Sequence, residues 1–225
     1  MTRSEIISKF REENPEITTN VISPAILNTW CLVGNIEICT KARLIVGSTT
    51  LTTSLSGSTG VKQYNLTSLI TNFYDIDEWP GGGVTYYTSS TEYRRLTRRT
   101  VAELDQIKPG WRGITDNGTP MNYYRRGQYL YLDRPPEGSK SLEVYTVLLP
   151  DDFDDDAETP FNQLTYLKPF HYSVVLYLTM RAKAKVSKSE EAKNAMAEYE
   201  SYVQWMKEEV GGGKYSVIKF RPRRR

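Results

Sequence analysis

The chain has 225 residues, 39% hydrophobic and 25% charged, so it is long and apolar enough to bury the core of a soluble globular protein. Its formal net charge of +2 argues against a protein that coats DNA with a broad basic face. No segment approaches the roughly 20 apolar residues of a membrane span, and the N-terminus lacks the apolar run of a signal peptide. We therefore expect a protein that works in a soluble, reducing compartment and has no membrane partner.

Two helices are predicted near the N-terminus. Thr2 and Glu5 form a capping box, which predicts a first helix over about residues 3–13. Ser23-Pro24 is a second start signal, and the apolar spacing that follows it predicts a helix to about Lys41. This second helix is apolar over much of its circumference, so it should lie in the core.

The middle of the chain has the pattern of short strands. Residues 47–60 are almost all small and polar, and the sequence leaves open whether they form a loop or a threonine-rich β-arm. Arg126-Gly127-Gln128 predicts a tight hairpin link, and residues 96–107 have the spacing of a short helical turn. The predicted strands are Val61–Leu66, Asn72–Ile76, Val84–Thr88, Asn122–Arg126, Tyr129–Asp133 and Leu142–Leu148.

The last third of the chain returns to helical spacing after an acidic loop at residues 150–160. Apolar residues at intervals of three and four predict a helix over about residues 164–186. A capping box at Ser187 and Glu190 predicts the start of the final helix. The residues of its apolar face that we expect to meet the core or a neighbouring subunit are Tyr199, Tyr202 and Met206.

The order of helices, strands and helices is typical of an α+β fold. We predict a helical bundle formed from both chain ends, residues 1–46 and 160–210. A β-rich insertion of residues 47–159 lies between them and includes the polar arm 47–60. Residues 211–225, which begin with three glycines, are predicted to be an extended C-terminal docking tail.

Residues of the kind that catalysis or metal binding requires are scarce. His171 is the only histidine, which excludes a zinc site built from several histidines, and its apolar neighbours favour a structural role. Cys31 and Cys39 lie about 12 Å apart along one predicted helix, too far for a disulfide. The acidic loop fails as a calcium loop at its turn position and at its last ligand. We predict that the protein is not an enzyme and has no catalytic site, cofactor or metal.

Charge is concentrated in two segments. The acidic loop contains Asp151, Asp152, Asp154, Asp155 and Asp156, and it fits either a solvated loop or a docking surface for a basic neighbour. In the C-terminal tail, apolar residues come first and arginines follow. The apolar residues are Tyr215, Val217, Ile218 and Phe220, and the arginines are Arg221, Arg223, Arg224 and Arg225. This tail fits a solubilising segment or a phosphate-binding segment. We prefer a docking peptide whose apolar residues anchor in a groove while its arginines meet acidic groups.

A string of motifs occurs in the second half of the chain. Trp111-Arg112-Gly113 is followed by Gly118-Thr119-Pro120 with Tyr123-Tyr124, and then by a strand that ends in Asp133-Arg134-Pro135-Pro136. An aromatic-rich helix and an alanine-rich last helix follow, the latter ending in Tyr199-x-x-Tyr202. Together these motifs resemble those of the head-to-tail connector, or adaptor, proteins of tailed bacteriophages. The likeness depends on the order and spacing of the motifs, because no single one is specific.

The resemblance implies a structural virion protein that forms a ring, typically of twelve copies, beneath the portal and around the DNA exit channel. It implies a place in the neck between capsid and tail, reached from the host cytoplasm. The implied partners are further copies of the chain, the portal, tail or neck proteins, and double-stranded DNA in transit. The C-terminal tail would reach the portal, and the acidic loop would line the channel or face a neighbouring subunit.

Three alternative functions stay open. A β-rich module that recognises a ligand or glycan would be a stable monomer. Another neck component, such as a tail terminator, would share the location in the virion. A glycoside hydrolase would need two carboxylates side by side, and a pair such as Glu92 and Asp105 is the candidate, although nothing in the sequence brings them together.

Overall fold

The computed structural model describes residues 1–56, 59–78 and 82–210, without the side chains of residues 55, 56 and 163. Helices come from both ends of the chain and strands from its middle, so the predicted α+β class is confirmed. The chain divides into two compact units. Met1–Ile45 and the chain from Leu149 onward form the helical unit, and Val46–Leu148 forms the β unit.

The first two helices begin where the sequence predicts. At the first, the Thr2 hydroxyl accepts a hydrogen bond from the Glu5 N–H at 3.2 Å, and the Glu5 carboxylate accepts one from the Thr2 N–H at 2.8 Å. At the second, Ser23 is the N-cap but its side chain makes no capping hydrogen bond, and Pro24 supplies the first helical residue. The α-helices are α1 (Arg3–Glu13), α2 (Pro24–Ala42), α3 (Leu66–Leu69), α4 (Val101–Ile107), α5 (Tyr172–Lys185) and α6 (Ser189–Val210).

The last helical region differs from the prediction at both of its starts. Residues Thr165–Phe170 form a 3-10 helix that contains Pro169, so α5 begins only at Tyr172. The predicted capping box at Ser187 is wrong, because Ser187 takes a left-handed φ of 60° and α6 starts two residues later. A single residue in that conformation ends one helix and redirects the chain into the next.

α5 is the central element of the helical unit and contacts α1, α2 and α6. The Tyr177 ring lies directly against Gly34 of α2, where a Cβ would come within 2.6 Å of the ring. The same ring meets Tyr199 of α6 edge to face, with 5.7 Å between centroids. The missing side chain at Gly34 therefore allows α2 to approach the aromatic core closely.

The described residues of the β unit form two larger sheets and a small hairpin of two short strands. In the first sheet the strand order is β1-β11-β6-β7, with β5 also paired to β11. In the second it is β4-β10-β9-β8, and β8 pairs with β9 in parallel. The strands are β1 (Val46–Thr52), β2 (Leu55–Ser56), β3 (Thr59–Gly60), β4 (Gln63–Asn65), β5 (Phe73–Ile76), β6 (Val84–Tyr87), β7 (Tyr93–Arg95), β8 (Thr97–Arg98), β9 (Asn122–Arg126), β10 (Tyr129–Leu132) and β11 (Ser141–Leu148).

The polar segment 47–60, which the sequence left open, is largely strand. β1 pairs with β11 along its whole length, from Val46 opposite Val147 to Thr52 opposite Ser141. β2 and β3 then form the small hairpin. The predicted hairpin at Arg126-Gly127-Gln128 is confirmed as the link between β9 and β10.

One apolar cluster is shared by the two sheets of the β unit. The first sheet contributes residues such as Val84, Tyr86 and Val144, and the second contributes residues such as Tyr123 and Leu130. All five are essentially buried. Alternate residues of these strands face outward, and some of them, such as Tyr87 and Tyr145, are partly exposed.

Candidate functional site

The motifs that carry the family resemblance converge on one buried carboxylate in the β unit. Asp133 is fully buried, and its oxygens accept hydrogen bonds from the N–H groups of Met121 and Asn122 at 2.9 and 3.1 Å. The Asn122 amide and the Lys108 ammonium also bind this carboxylate, at 3.0 and 3.2 Å. Burial alone would raise the pKa of Asp133, but these hydrogen bonds and Lys108 hold it below its usual range. Asp133 therefore ties the start of β9 to the end of β10.

Two glycines lie against the Arg134-Pro135-Pro136 segment that follows Asp133. The Gly118 N–H donates to the Pro135 carbonyl at 2.9 Å, and a Cβ on Gly118 would come within 2.7 Å of the Arg134 guanidinium. Gly60 of the small hairpin lies against the Pro136 backbone, and its N–H donates to the Asn117 side chain at 2.7 Å. The motif residues thus position backbone segments of the fold.

Trp111 joins a half-exposed ladder of tyrosines on the outer side of β9 and β10. Its ring meets Tyr124 edge to face at 5.4 Å, and Tyr124 stacks on Tyr131 at 4.5 Å. The Trp111 indole N–H donates to the Asp105 carboxylate at 2.9 Å, and the Arg112 guanidinium binds the same carboxylate. These contacts lower the pKa of Asp105, with the Arg112 hydrogen bond as the main cause.

The two carboxylates considered for glycoside hydrolysis each bind different local partners. Glu92 lies in the turn between β6 and β7, where its carboxylate accepts a hydrogen bond from Thr88. Asp105 lies on α4 and is engaged by Trp111 and Arg112. In the part of the chain that the structure describes, no group of three or more histidines, cysteines, aspartates or glutamates could hold a metal ion.

The acidic loop belongs to the helical unit and is anchored in two ways. Phe153 at its centre is 1% exposed, and the Arg3 guanidinium binds the Asp156 carboxylate at 2.8 Å and the Phe153 carbonyl at 3.3 Å. The carbonyls of Asp156 and Glu158 accept the N–H groups of Ser4 and Arg3 at 3.2 and 2.8 Å. The loop therefore satisfies donors that the first turn of α1 leaves unpaired.

The aspartates of this loop differ in their surroundings. Asp156 pairs with Arg3, and the Asp155 carboxylate accepts the Ala157 N–H at 2.9 Å. Asp151 is exposed, and its N–H donates to the Asn162 side chain at 2.8 Å. The carboxylates of Asp152 and Asp154 are exposed, and among residues 1–56, 59–78 and 82–210 neither has a partner. Only part of the acidic charge is thus directed to solvent without a local role.

The three residues singled out on α6 have different positions. Tyr199 and Met206 are buried, and the Tyr199 hydroxyl donates to the Glu37 carboxylate at 3.3 Å. Burial is the main cause that raises the pKa of Tyr199. Tyr202 is half-buried, and its hydroxyl donates to the Pro169 carbonyl at 3.0 Å.

Tyr202 belongs to an aromatic cluster that the sequence analysis did not identify. Its ring lies 5.2 Å from Trp205 and 6.3 Å from Phe170, in edge-to-face arrangements, and Tyr172 completes the group. Trp205 is 43% exposed. The sequence does contain a signal for this cluster, because Tyr202 and Trp205 are three residues apart and therefore neighbours on one helix face.

The expectation that α2 lies in the core holds for the inner side of this helix and not for its outer side. Leu27, Cys31 and Ile38 on the inner side are fully buried. On the outer side Val33 and Ile36 are each 38% exposed. Val33 and Ile36 lie about one turn apart and form a small apolar stripe on the surface of α2.

His171 and the cysteines lie inside the helical unit. His171 Nδ1 lies 2.6 Å from the Met1 amine and 3.1 Å from the Met1 carbonyl. Burial, followed by the charge of the Met1 amine, lowers the pKa of His171 to about 4. Cys31 and Cys39 are both buried and unpaired with each other, and burial raises the pKa of Cys31 to about 12.

The predicted docking tail, Tyr215 to Arg225, lies outside the described residues. No helix among the described residues is long and apolar enough to cross a membrane.

Comparison with known proteins supplies the family. No curated protein matches the chain significantly. A family model described as SU10 adaptor protein matches residues 1–214, nearly the whole chain. This match confirms the resemblance at the level of a phage adaptor, a structural protein of the virion. The chain belongs to the SU10 adaptor protein family.

Proposed function

We propose that this protein is the adaptor that joins the portal of the capsid to the tail, as a non-enzymatic ring around the DNA exit channel. The observation that carries the proposal is the family match over residues 1–214. Two surfaces of the helical unit support it, because each exposes apolar area that a neighbour would cover. They are the outer stripe of α2, with Val33 and Ile36, and the aromatic cluster around Tyr202 and Trp205. A ring, for which we expect twelve copies, presents such surfaces to its neighbours.

Mass photometry with and without a purified portal ring of the same phage tests the proposal. We expect a portal complex whose mass increases by a whole ring of copies. A chain that stays monomeric and ignores the portal would contradict the adaptor function. Ile36→Lys should weaken assembly because it places a charge in the apolar stripe, whereas Ser8→Lys, at an exposed position of α1, should not.

The C-terminal tail is the proposed contact with the portal. Its apolar residues and four arginines suit a peptide that docks in a groove with an acidic rim. Deletion of residues 217–225 should abolish binding to the portal ring while the circular dichroism spectrum and melting temperature stay unchanged. Undiminished binding by the deleted protein would refute this role.

The exposed aspartates of the acidic loop are proposed to face the DNA channel or a neighbouring subunit. A negative wall would repel phosphates and let DNA pass without sticking. The test should use Asp152→Lys with Asp154→Lys, because Asp156 is engaged by Arg3 and its loss would disturb the start of α1. We expect impaired ring assembly or DNA ejection, and normal values for both in the double variant would exclude this role.

A second candidate, a module that binds a small polar ligand, is favoured by one observation. A basin of about 560 Å³ on the β unit is lined by polar groups, among them Tyr87, Lys140 and Glu143. A ligand-binding module would remain a monomer in the portal experiment, so the same measurement separates the two functions.

A further inference from the structure

The first sheet of the β unit is open at both ends. β1 is bonded to β11 on one side, and no described strand pairs with its other side. β7 at the opposite end is bonded to β6 in the same way. A sheet with two open edges can be extended by another chain at either edge.

The backbone groups of β1 that point out of the sheet can be identified. The Tyr145 N–H donates to the Gly83 carbonyl and the Tyr145 carbonyl accepts from the Asp77 N–H, so both groups point away from β1. In an antiparallel pair the residue opposite then points its own groups the other way. Ser48 is opposite Tyr145, so Ser48, Thr50 and Thr52 direct their N–H and C=O groups to the open edge.

This edge lacks the features by which sheets avoid pairing. β1 is seven residues long, with the sequence Val-Gly-Ser-Thr-Thr-Leu-Thr, and contains no charge and no proline. Its pairing with β11 runs without a bulge. Small side chains at Gly47, Ser48 and Thr50 allow another backbone to approach. An unprotected edge of this kind is expected where a second strand is meant to bind.

The opposite edge offers a short matching segment. The Leu96 N–H donates to the Val84 carbonyl, which places Leu96 and Arg94 on the β6 side. Tyr93 and Arg95 therefore point their backbone groups outward. Beyond them the edge is occupied, because the Thr97 N–H donates to the Met121 carbonyl of the second sheet.

We propose that neighbouring copies in the ring join these two edges, with Tyr93–Arg95 of one copy bonded to Thr50–Thr52 of the next. The proposal rests on the ring assembly proposed above. A ring needs two different surfaces on each copy, and the two ends of one sheet supply them. Successive strands alternate in direction from β1 through β11 and β6 to β7, so β1 and β7 run oppositely. Copies related by an axis along the strands then meet as an antiparallel pair.

The register of the sheet supports this pairing. Thr52 lies level with Ser141, Tyr87 and Tyr93, whereas Thr50 lies level with Glu143, Thr85 and Arg95. Joining copies at the same level sets Tyr93 opposite Thr52 and Arg95 opposite Thr50. All four of these residues point their backbone groups outward, so the junction can form its hydrogen bonds without a shift.

The charges on this face are compatible with the same junction. Arg95 is exposed and makes no salt bridge within the described part of the chain. Glu143 stands on the same face, one strand behind Thr50, and accepts a hydrogen bond from Tyr87 at 2.8 Å. With strands about 4.8 Å apart, the backbone of the neighbour's Arg95 lies about 10 Å from that of Glu143 across Thr50, the same separation that Glu143 has from Arg95 of its own chain across Thr85. A long arginine and a glutamate can bridge that gap.

Disulfide trapping tests the geometry. Paired residues in an antiparallel junction have Cα atoms about 5.5 Å apart, within the range of a disulfide. Thr52→Cys with Tyr93→Cys, oxidised on the portal ring, should give a ladder of covalent oligomers on a non-reducing gel. The native cysteines are fully buried and should not contribute. Ser8→Cys with Tyr93→Cys, which pairs Tyr93 with an exposed position on α1, is the matched control and should give no ladder.

A mixing experiment tests the charge pair. Arg95→Glu alone and Glu143→Arg alone should each bind about tenfold more weakly, because every junction then opposes like charges. An equal mixture of the two variants should recover assembly, since alternating copies restore an opposite-charge pair at every junction. Rescue within a single chain cannot explain that result.

The outcomes separate this inference from the proposed function. The junction would be overturned if rings assembled normally but the cysteine pair gave no ladder above the control. It would also be overturned if the mixture of charge variants assembled no more strongly than either variant alone. Both results would leave the adaptor function intact. Failure of the unmodified chain to assemble on the portal at all would overturn both.

Discussion

The helical unit and the β unit are stabilised in different ways. In the helical unit, segments from both chain ends pack through apolar and aromatic contacts, as where Tyr177 lies between Gly34 and Tyr199. In the β unit, strand register is tied down by a buried carboxylate, Asp133, and an edge is left open along β1. The contrast indicates that the motifs behind the family resemblance maintain the backbone of the β unit, whereas the helical unit carries exposed apolar surfaces that we propose serve assembly.

Removal of the buried carboxylate should have the largest effect. In Asp133→Ala, two backbone N–H groups, the Asn122 amide and Lys108 lose their acceptor. We expect the free energy of unfolding of the β unit to fall by about 3–5 kcal/mol. Hydrogen exchange should show lost protection in the β unit and unchanged protection in α5.

The exposed residue Asp116 offers the control. Asp116→Ala should change the free energy of unfolding by less than about 0.5 kcal/mol. Equal loss of protection in both units after Asp133→Ala would show that the two units unfold together. That result would contradict their separate stabilisation.

Mild acid should act on the helical unit, because the only histidine lies there. The pKa of His171 is about 4 in the folded chain, against about 6.5 when unfolded. The unfolded state therefore binds more protons, so stability is complete above pH 6.5 and is lost as pH falls towards 4. The total loss should be about 3 kcal/mol.

His171→Asn should abolish this pH dependence. Urea unfolding at a series of pH values between 6.5 and 4 measures it. A wild-type slope that persists in the variant would contradict the assignment to His171.

Gly34→Ala should destabilise the helical unit despite the higher helix propensity of alanine. The new methyl would overlap the Tyr177 ring, which is buried and held by a hydrogen bond between its hydroxyl and Arg181. We expect a loss of about 1–3 kcal/mol in the free energy of unfolding, measured by urea titration. Gly113→Ala, where a Cβ would meet nothing within 4 Å, should be nearly neutral. A stabilised Gly34→Ala variant would exclude the tight contact.

The smallest effect is expected at the surface. Lys183 and Lys188 bind Glu16, and the Lys183 hydrogen bond is the main cause that lowers the pKa of Glu16 to about 2. This contribution is present above about pH 4.5 and is lost as pH falls towards 2. Because the Glu16 side chain is 40% exposed, Glu16→Gln should cost less than about 1 kcal/mol at neutral pH. In thermal melts, the difference in melting temperature between variant and wild type should be largest at pH 7 and shrink as pH falls towards 2.

Local signals predicted several elements accurately. The capping box at Thr2 and Glu5 is confirmed, as are the strand Asn122–Arg126 and its hairpin. The predictions failed where distant contacts decide. β7 and β8 are rich in arginine and have almost no apolar alternation, so they become strands only because β6 and β9 pair with them.

The sequence by itself determined the class of the fold, the position of its two N-terminal helices and the order of its motifs, because helical periodicity, caps and turn residues act over a few neighbouring positions. It also contained the resemblance that the family match confirms at the level of a phage adaptor. Only the tertiary structure decided that Asp133 is a buried anchor, that Asp156 serves Arg3, and that β1 lies at an edge. Those facts depend on pairings between residues far apart in the chain, which no local pattern records.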